Sequence, residues 1–139
     1  MRFPAVFGTA VLAALLAGCG SETASFMIDG NDKALTLERI KEYPWNDWEL
    51  ELVVRNNPDC QRRHKLKPTG SDAIKVELYS PEPYVFILRQ GKRWYVTEMK
   101  SCQFQLFKEV PPEPGKSVGH FNTRDGNKLR FVLDPQSPS

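Results

Sequence analysis

The segment WELELVVR, residues 48–55, decides the fold class of this chain. Every second side chain from Trp48 to Val54 is apolar, whereas the carboxylates of Glu49 and Glu51 stand between them. Successive side chains of a β-strand point to opposite faces, so a period of two places one face on a core and the other in solvent. The segment therefore predicts a half-buried β-strand.

Short segments of similar character continue on both sides, separated by turn signals about ten residues apart. The other predicted strands are residues 25–28, 34–43, 74–79, 84–88, 93–99, 102–106, 117–123 and 127–133. A helix is the competing prediction for residues 35–41, because Leu37, Ile40 and Lys41 have helical spacing. Without a long amphipathic helix, the pattern predicts an all-β, mainly antiparallel domain, a small β-sandwich or barrel of about eight strands.

Two turn sequences predict hairpins within this pattern. The sequence RQGK at residues 89–92 separates two apolar segments, and DG at residues 125–126 separates the last two. Glycine adopts the positive φ that tight hairpin turns require. Antiparallel pairing of the flanking strands is therefore expected at both places.

The amino-terminal leader indicates export. Residues 3–18 carry no charge and follow the single cation Arg2. Sixteen helical residues reach about 24 Å, short of the roughly 30 Å hydrocarbon core, so a cleaved signal peptide is predicted rather than a membrane span. The leader ends in the sequence LAGC, Leu16 to Cys19, which resembles the lipobox of bacterial lipoprotein precursors.

This resemblance implies cleavage before Cys19, a diacylglyceryl thioether on its sulfur and acylation of the new amino terminus. Two or more acyl chains anchor a protein stably to its membrane. Gly20 stands where an Asp commonly retains such lipoproteins at the inner membrane, so the resemblance favours the periplasmic side of the outer membrane. An ordinary secreted protein is the alternative.

The expected division is a signal peptide at 1–18, a lipidated tether at 19–24, one β domain at 25–134 and a disordered tail at 135–139. The small polar tether would reach roughly 18 Å at most. The 19 Lys and Arg residues nearly balance the 17 Asp and Glu residues. This balance argues against a dedicated nucleic-acid binder.

Two cysteines remain once Cys19 is lipidated, namely Cys60 and Cys102. In an oxidising periplasm, one disulfide between them is the expected outcome. A metal pair or a redox couple is the alternative, but the chain has no Cys-x-x-Cys and neither cysteine has further ligand residues at metal-binding spacing.

One basic run stands out in a predicted loop at residues 61–68. Its four cations are Arg62, Arg63, Lys65 and Lys67. On a domain tethered close to a bilayer, such a loop is a candidate binding site for anionic headgroups, an acidic partner or a polyanionic glycan. In the alternative interpretation, the loop is solvated and its charges pair with Glu49 or Glu51.

Aromatic residues supply a second candidate. Most of them lie in alternating strands, where core packing is the expected role. Trp45 differs because it lies in a predicted loop with Tyr43 and Pro44, where exposed aromatic surface indicates a contact.

The sequence offers little for catalysis. The two histidines, His64 and His120, belong to no H-E-x-x-H or similar motif, and no serine lies in a G-x-S-x-G elbow. We therefore predict no catalytic residues, no metal site, no cofactor and no enzymatic activity. A pocket that brings either histidine against a carboxylate would favour an enzyme.

These observations lead to an expectation about function. The chain is expected to be an outer-membrane lipoprotein, attached on the periplasmic side, that serves as an interaction module or accessory subunit of an envelope assembly. Its partners would be the membrane, through the lipid on Cys19, and another envelope protein or an anionic envelope surface. An inhibitor of a periplasmic hydrolase is the alternative, and an envelope enzyme is the alternative of a different class.

Overall fold

The computed structural model describes residues 20–124 and 127–135, and all regular structure in these ranges is β. The strands are β1 (Gly20–Asp29), β2 (Lys33–Lys41), β3 (Glu49–Asn56), β4 (Cys60–Lys65), β5 (Lys75–Glu82), β6 (Val85–Gln90), β7 (Arg93–Glu98), β8 (Phe104–Leu106), β9 (Lys116–Asn122) and β10 (Arg130–Leu133). The predicted all-β, antiparallel class is confirmed, with ten strands in place of about eight.

The strands form two antiparallel sheets that enclose one core. The four-stranded sheet has the order β1-β2-β3-β4, and the six-stranded sheet has the order β10-β9-β5-β6-β7-β8. Strand rather than helix is correct for residues 35–41, because Leu35 pairs with Val54 and Leu37 with Leu52 across β2 and β3. Long-range pairing here overrides the helical spacing of three side chains.

The core lies between the inner faces of the two sheets. Leu37, Leu52 and Val54 from one sheet and Leu78 and Phe121 from the other are completely buried. Full burial of one such side chain contributes roughly 1.5–3 kcal/mol. Alternation along the strands therefore holds the two sheets face to face.

The sheet edges meet on both sides of the core. On one side β1 lies along β10, where the rings of Phe26 and Phe131 are 5.1 Å apart. On the other side the predicted disulfide between Cys60 and Cys102 is confirmed and joins β4 to the segment before β8. The edges of the two sheets are thus tied together at both seams.

The tether predicted at residues 19–24 is wrong for residues 20–24, which belong to β1. Gly20 pairs with Lys41, and the carboxylate of Glu22 accepts bonds from the Arg39 side chain and from the Leu129 backbone. Backbone pairing at a sheet edge leaves half of the side chains in solvent, so the strand looks as polar as a linker. Cys19 itself lies outside the described residues, next to the first residue of β1.

The predicted loop at residues 61–68 is also wrong over its first half, which forms β4. Arg62 pairs with Val54 and His64 with Leu52 in the register of β3. The strand lies at a sheet edge and is polar on both faces, so it carries no hydrophobic alternation. The turn residues before β4 and Pro68 after it therefore dominated the sequence signal.

Other expectations fall on parts of the chain that lie outside the description. These are the signal peptide, the turn residues 125–126 and residues 136–139 of the predicted tail. Strand β9, which carries His120, is paired on both sides, with β5 and β10. Over the described ranges, no helix has the length and apolar character needed to cross a membrane.

Candidate anion-binding groove

One end of the sandwich gathers the start of β1 and several loops, and we call it the Gly20 end. Gly20 pairs with Lys41, the last residue of β2. At the end of the β2–β3 connection, the backbone of Trp48 exchanges two hydrogen bonds with that of Thr69, at 2.8 and 3.0 Å. The loop 66–74 and the turn at 91–92 meet at this end through Gln90 and Lys67.

Strand alternation divides the basic run rather than presenting it as one patch. Arg63 lies on the outer face of the four-stranded sheet, where its guanidinium donates to Glu51 at 2.7 Å and also to Glu38. These two hydrogen bonds raise the pKa of Arg63. Pairing with Glu51 is the solvated arrangement that the sequence offered as the alternative.

The other cations of the run have different surroundings. Arg62 lines a small groove at the seam between β4 and β8, whereas Lys65 is exposed at the end of β4. Lys67 lies two residues beyond the strand and lines a larger groove at the Gly20 end. The predicted single binding loop is therefore not formed, and Lys67 alone of the four reaches this groove.

This larger groove, which we call the basic groove, has a volume of about 650 Å³. Its floor includes the buried side chains of Leu50 and Ile74. Five cations and one carboxylate line it, from the loop 66–74, β5 and the β6–β7 hairpin: Lys67, Lys75, Arg89, Lys92, Arg93 and Glu77. A concave surface with a large excess of one charge concentrates ligands of the opposite charge.

Gln90 holds the two walls of the basic groove together. Its side-chain oxygen accepts from the Lys67 backbone N–H at 3.2 Å, and its amide donates to the Lys67 carbonyl at 2.7 Å. The same oxygen accepts from the hydroxyl of Tyr95 at 3.0 Å, which fixes the amide orientation. Lys67 is therefore held at a set position beside the hairpin.

Glu77 neutralises part of the charge in the basic groove. Its carboxylate lies 3.4 Å from the Lys75 ammonium and 3.7 Å from the Arg89 guanidinium. The Tyr79 hydroxyl donates a hydrogen bond to Glu77 at 3.0 Å. Partial burial of Tyr79, together with this hydrogen bond, raises its pKa. Tyr79 therefore remains a neutral hydrogen-bond donor to Glu77.

Three exposed cations remain for a ligand. None of the ion pairs formed among the described residues involves Lys67, Lys92 or Arg93. Lysine ammonium and arginine guanidinium groups bind phosphate and carboxylate oxygens through charge-assisted hydrogen bonds. The basic groove thus has the chemistry of an anion site.

The smaller groove, of about 400 Å³, lies at the seam between β4 and β8. There the His64 ring stacks on Phe104 at 4.9 Å, and its Nε2 lies 2.8 Å from the Cys102 carbonyl. Glu98 also lines this groove, and hydrogen bonds from Ser101 lower the pKa of its carboxyl. The contacts of His64 join β4 to the segment before β8, beside the disulfide.

His120 meets the carboxylate of Asp134, which also accepts from Ser117. Its Nδ1 lies 3.6 Å from Asp134, and the hydroxyl of Ser117 donates to the other oxygen of the same carboxylate. The carboxylate stands between the histidine and the serine, so the histidine is not placed to take the serine proton. Neither groove is lined by these residues.

Trp45 is the candidate whose exposure matches the sequence expectation. Its side chain is 77% exposed and stacks on Tyr43, with ring centroids 5.1 Å apart and planes within 9°. Trp94 and Tyr95 are buried as expected for core aromatics, and Trp48 is half-buried. Over the described residues, no cluster of His, Cys, Asp and Glu is arranged to hold a metal ion.

Comparisons of the chain with protein-family models, with curated proteins and with solved structures found no match. The groove itself is therefore the basis for assigning a function. Sequence reasoning missed four of its cations, which the fold gathers from β5 and the β6–β7 hairpin. One signal was present, because RQGKR at residues 89–93 places three cations around a tight turn.

Proposed function

We propose that this chain is a bacterial envelope lipoprotein, anchored through Cys19 on the periplasmic side of the outer membrane. Its β-sandwich is a non-enzymatic binding module of an envelope assembly, and the basic groove binds an anionic group of the partner. The observation that carries the proposal is the convergence of five cations and one carboxylate on a groove with an apolar floor.

Two properties of the groove support binding rather than ordinary surface charge. Its cations come from three separate segments, and the double hydrogen bond between Gln90 and Lys67 holds two of those segments together. A prearranged site loses less conformational entropy on binding than a flexible basic loop. The groove also lies at the same end of the sandwich as Gly20, the residue that follows the proposed attachment point in the sequence.

The groove proposal is tested with a pair of double variants of equal charge change. The protein from Gly20 onward is titrated with pyrophosphate and with vesicles containing phosphatidylglycerol. Changing Lys92 and Arg93 to Ser should weaken binding at least tenfold, because both cations line the groove. Changing Arg62 and Lys65 to Ser should leave it within twofold, because neither residue does.

The two probes separate the sources of the anion. Binding to pyrophosphate as well as vesicles assigns the groove to phosphate groups in general, whereas binding to vesicles alone assigns it to the membrane surface. Binding should weaken with added salt, since exposed charges are screened over about 8 Å at physiological ionic strength. Equal losses in the two double variants would contradict the groove as the site.

The anchor proposal is tested at one sulfur. Cys19→Ser removes the thiol that lipid transfer requires, and a hydroxyl is a much weaker nucleophile at neutral pH. We expect loss of palmitate labelling and loss of the mature membrane-bound form, with the disulfide between Cys60 and Cys102 intact. Normal processing and labelling of this variant would overturn the proposed anchor.

A further inference from the structure

The exposed aromatic pair at the Gly20 end has a position that suggests its partner. We infer that Tyr43 and Trp45 insert into the interface of the bilayer that carries the protein, so that the Gly20 end rests on the membrane. This inference depends on the proposed lipid attachment at Cys19. It assigns to the loop between β2 and β3 a role separate from the basic groove.

The loop presents its rings on a constrained backbone. The Asn46 N–H donates to the Tyr43 carbonyl at 3.0 Å and closes a four-residue turn with Pro44 at its second position. Proline restricts φ at this position of a turn, which limits the motion of the loop. Tyr43 is 48% exposed and Trp45 is 77% exposed, although their rings cover each other on one side.

Chain connectivity places the pair beside the anchor. Gly20 pairs with Lys41, and Tyr43 follows Lys41 by two residues. One residue spans at most about 3.6 Å. A lipid attached to Cys19, the residue before β1, would therefore keep this end of the domain close to the bilayer. Because residues 20–24 form a strand and not a flexible tether, a lipid on Cys19 would hold the Gly20 end of the domain close to the membrane.

The chemistry of the pair suits the depth at which it would lie. Tryptophan and tyrosine have apolar rings with a polar edge and are enriched at the level of lipid headgroups. The carboxylates of Glu42 and Asp47 flank the two rings and are exposed. Because charges do not enter the hydrocarbon core readily, they restrict the rings to shallow insertion.

The distribution of charge between the two ends favours the same orientation. The exposed cations Lys67, Lys92 and Arg93 lie at the Gly20 end with the aromatic pair. At the opposite end, the turns after β1 and β3 expose Asp32 and Asp59, and Lys100 and Lys116 are exposed there as well. A membrane with anionic lipids attracts the first end and repels these carboxylates.

The inference is tested with the full mature protein, purified with its lipid and inserted into vesicles of phosphatidylethanolamine and phosphatidylglycerol. Part of the lipid carries bromine at shallow acyl positions, because bromine quenches nearby tryptophan. The three tryptophans have different surroundings, since Trp94 is buried, Trp48 is half-buried and Trp45 is exposed. We expect bromine quenching of the parent and its loss in Trp45→Ser.

A matched control uses the exposed aromatic residue at the opposite end. Tyr84 is 53% exposed and lies in the turn between β5 and β6, so Tyr84→Asn should leave the quenching unchanged. Tyr43→Asn should reduce the quenching, because the variant lacks one of the two inserting rings and the ring on which Trp45 stacks. The melting temperature of each variant verifies that the fold is kept.

Three results would overturn the inference. One is equal quenching in the parent and Trp45→Ser, and another is no quenching of a parent whose mass includes the lipid. The third is self-association in solution that Trp45→Ser abolishes, which would assign the pair to a second copy of the chain. A mass without lipid would overturn the proposed anchor first, so the two failures are distinguishable.

Discussion

The side chain of Gln90 bonds both backbone groups of Lys67, accepting from its N–H at 3.2 Å and donating to its carbonyl at 2.7 Å. The two residues are 23 positions apart in the sequence, and their contact holds the two walls of the basic groove together. A residue without charge thereby positions a wall of a charged site. Removal of the Gln90 side chain should therefore weaken anion binding, although this side chain carries no charge.

Gln90→Ala should weaken anion binding severalfold and reduce stability by about 2–3 kcal/mol, because two hydrogen bonds to Lys67 and one from Tyr95, of about 1 kcal/mol net each, are lost. Titration with pyrophosphate and urea denaturation measure the two effects. Gln105→Ala is the control, since Gln105 is exposed on β8 outside this groove. Unchanged affinity in Gln90→Ala would contradict the positioning role.

Arg39 should be the most sensitive charged residue for stability. Its side chain is 3% exposed, faces the core side of β2, and bonds Glu22 and the Asn127 carbonyl while lying over the Trp48 ring at 4.2 Å. Arg39→Ala should cost about 2–4 kcal/mol, because the hydrogen bonds of a buried guanidinium are lost, whereas the remaining carboxylate of Glu22 is 37% exposed and can be solvated.

Arg63→Ala is the matched control for Arg39→Ala. The Arg63 side chain is 52% exposed, whereas its partners Glu38 and Glu51 are 18% and 14% exposed. Pairs with an exposed member contribute roughly 0–1 kcal/mol each, so we expect a loss of about 1–2 kcal/mol. Urea denaturation of both variants compares the two sites. Equal losses of stability in the two variants would show that burial of the arginine side chain does not determine its contribution.

Loss of the disulfide should destabilise the domain without changing its fold. The bond joins residues separated by 42 positions, and closing a loop of this size stabilises by about 4 kcal/mol in the chain-entropy model. Changing Cys60 and Cys102 together to Ala avoids a buried hydroxyl and tests this value by urea denaturation. A loss below about 1 kcal/mol would show that the loop is already restricted in the unfolded chain.

Glu98 should make part of the stability depend on pH. Hydrogen bonds from the Ser101 hydroxyl and backbone hold the pKa of the Glu98 carboxyl below its ordinary value of 4.5. A pKa that is lower in the folded state stabilises the protein above the unfolded value, and the contribution is lost as pH falls through the folded value.

The matching variant is Glu98→Gln. It should be less stable than the parent at pH 7, and the difference should shrink below about pH 4 as Glu98 becomes protonated in the parent. Urea denaturation at pH 7 and pH 3 measures both differences. A constant difference at the two pH values would assign the loss to packing and neutral hydrogen bonds.

The strands that lie inside the sandwich were predictable from the sequence. Residues 48–52 alternate between core and solvent because one face of β3 packs against the other sheet, and the segment around Val76 does the same, whereas residues 86–88 form an apolar run that is buried on both faces. The hairpin at 89–92 was also predictable, because Gly91 takes a positive φ of 61°. Local pattern and burial agree at these places, so the sequence signal was clear.

Strand β4 and the first half of β1 were missed because their stabilising contacts carry no hydropathy signal. Residues 20–24 and 61–65 are held largely by backbone hydrogen bonds to one neighbour, with polar side chains such as Ser21 and Arg63 in solvent. A backbone amide is the same in every residue except proline. Such a strand is therefore distinguished from a loop by its neighbour rather than by its own composition.

By itself, the sequence determined the all-β class, the core positions and, through compartment and cysteine count, the expected pairing of Cys60 with Cys102. The tertiary structure decided which cations act together. Alternation along β4 separated Arg63 from Arg62, while folding brought Lys67 to the hairpin at 89–93. Charges act through space, and the sequence distance between two cations does not report their separation once the chain is folded.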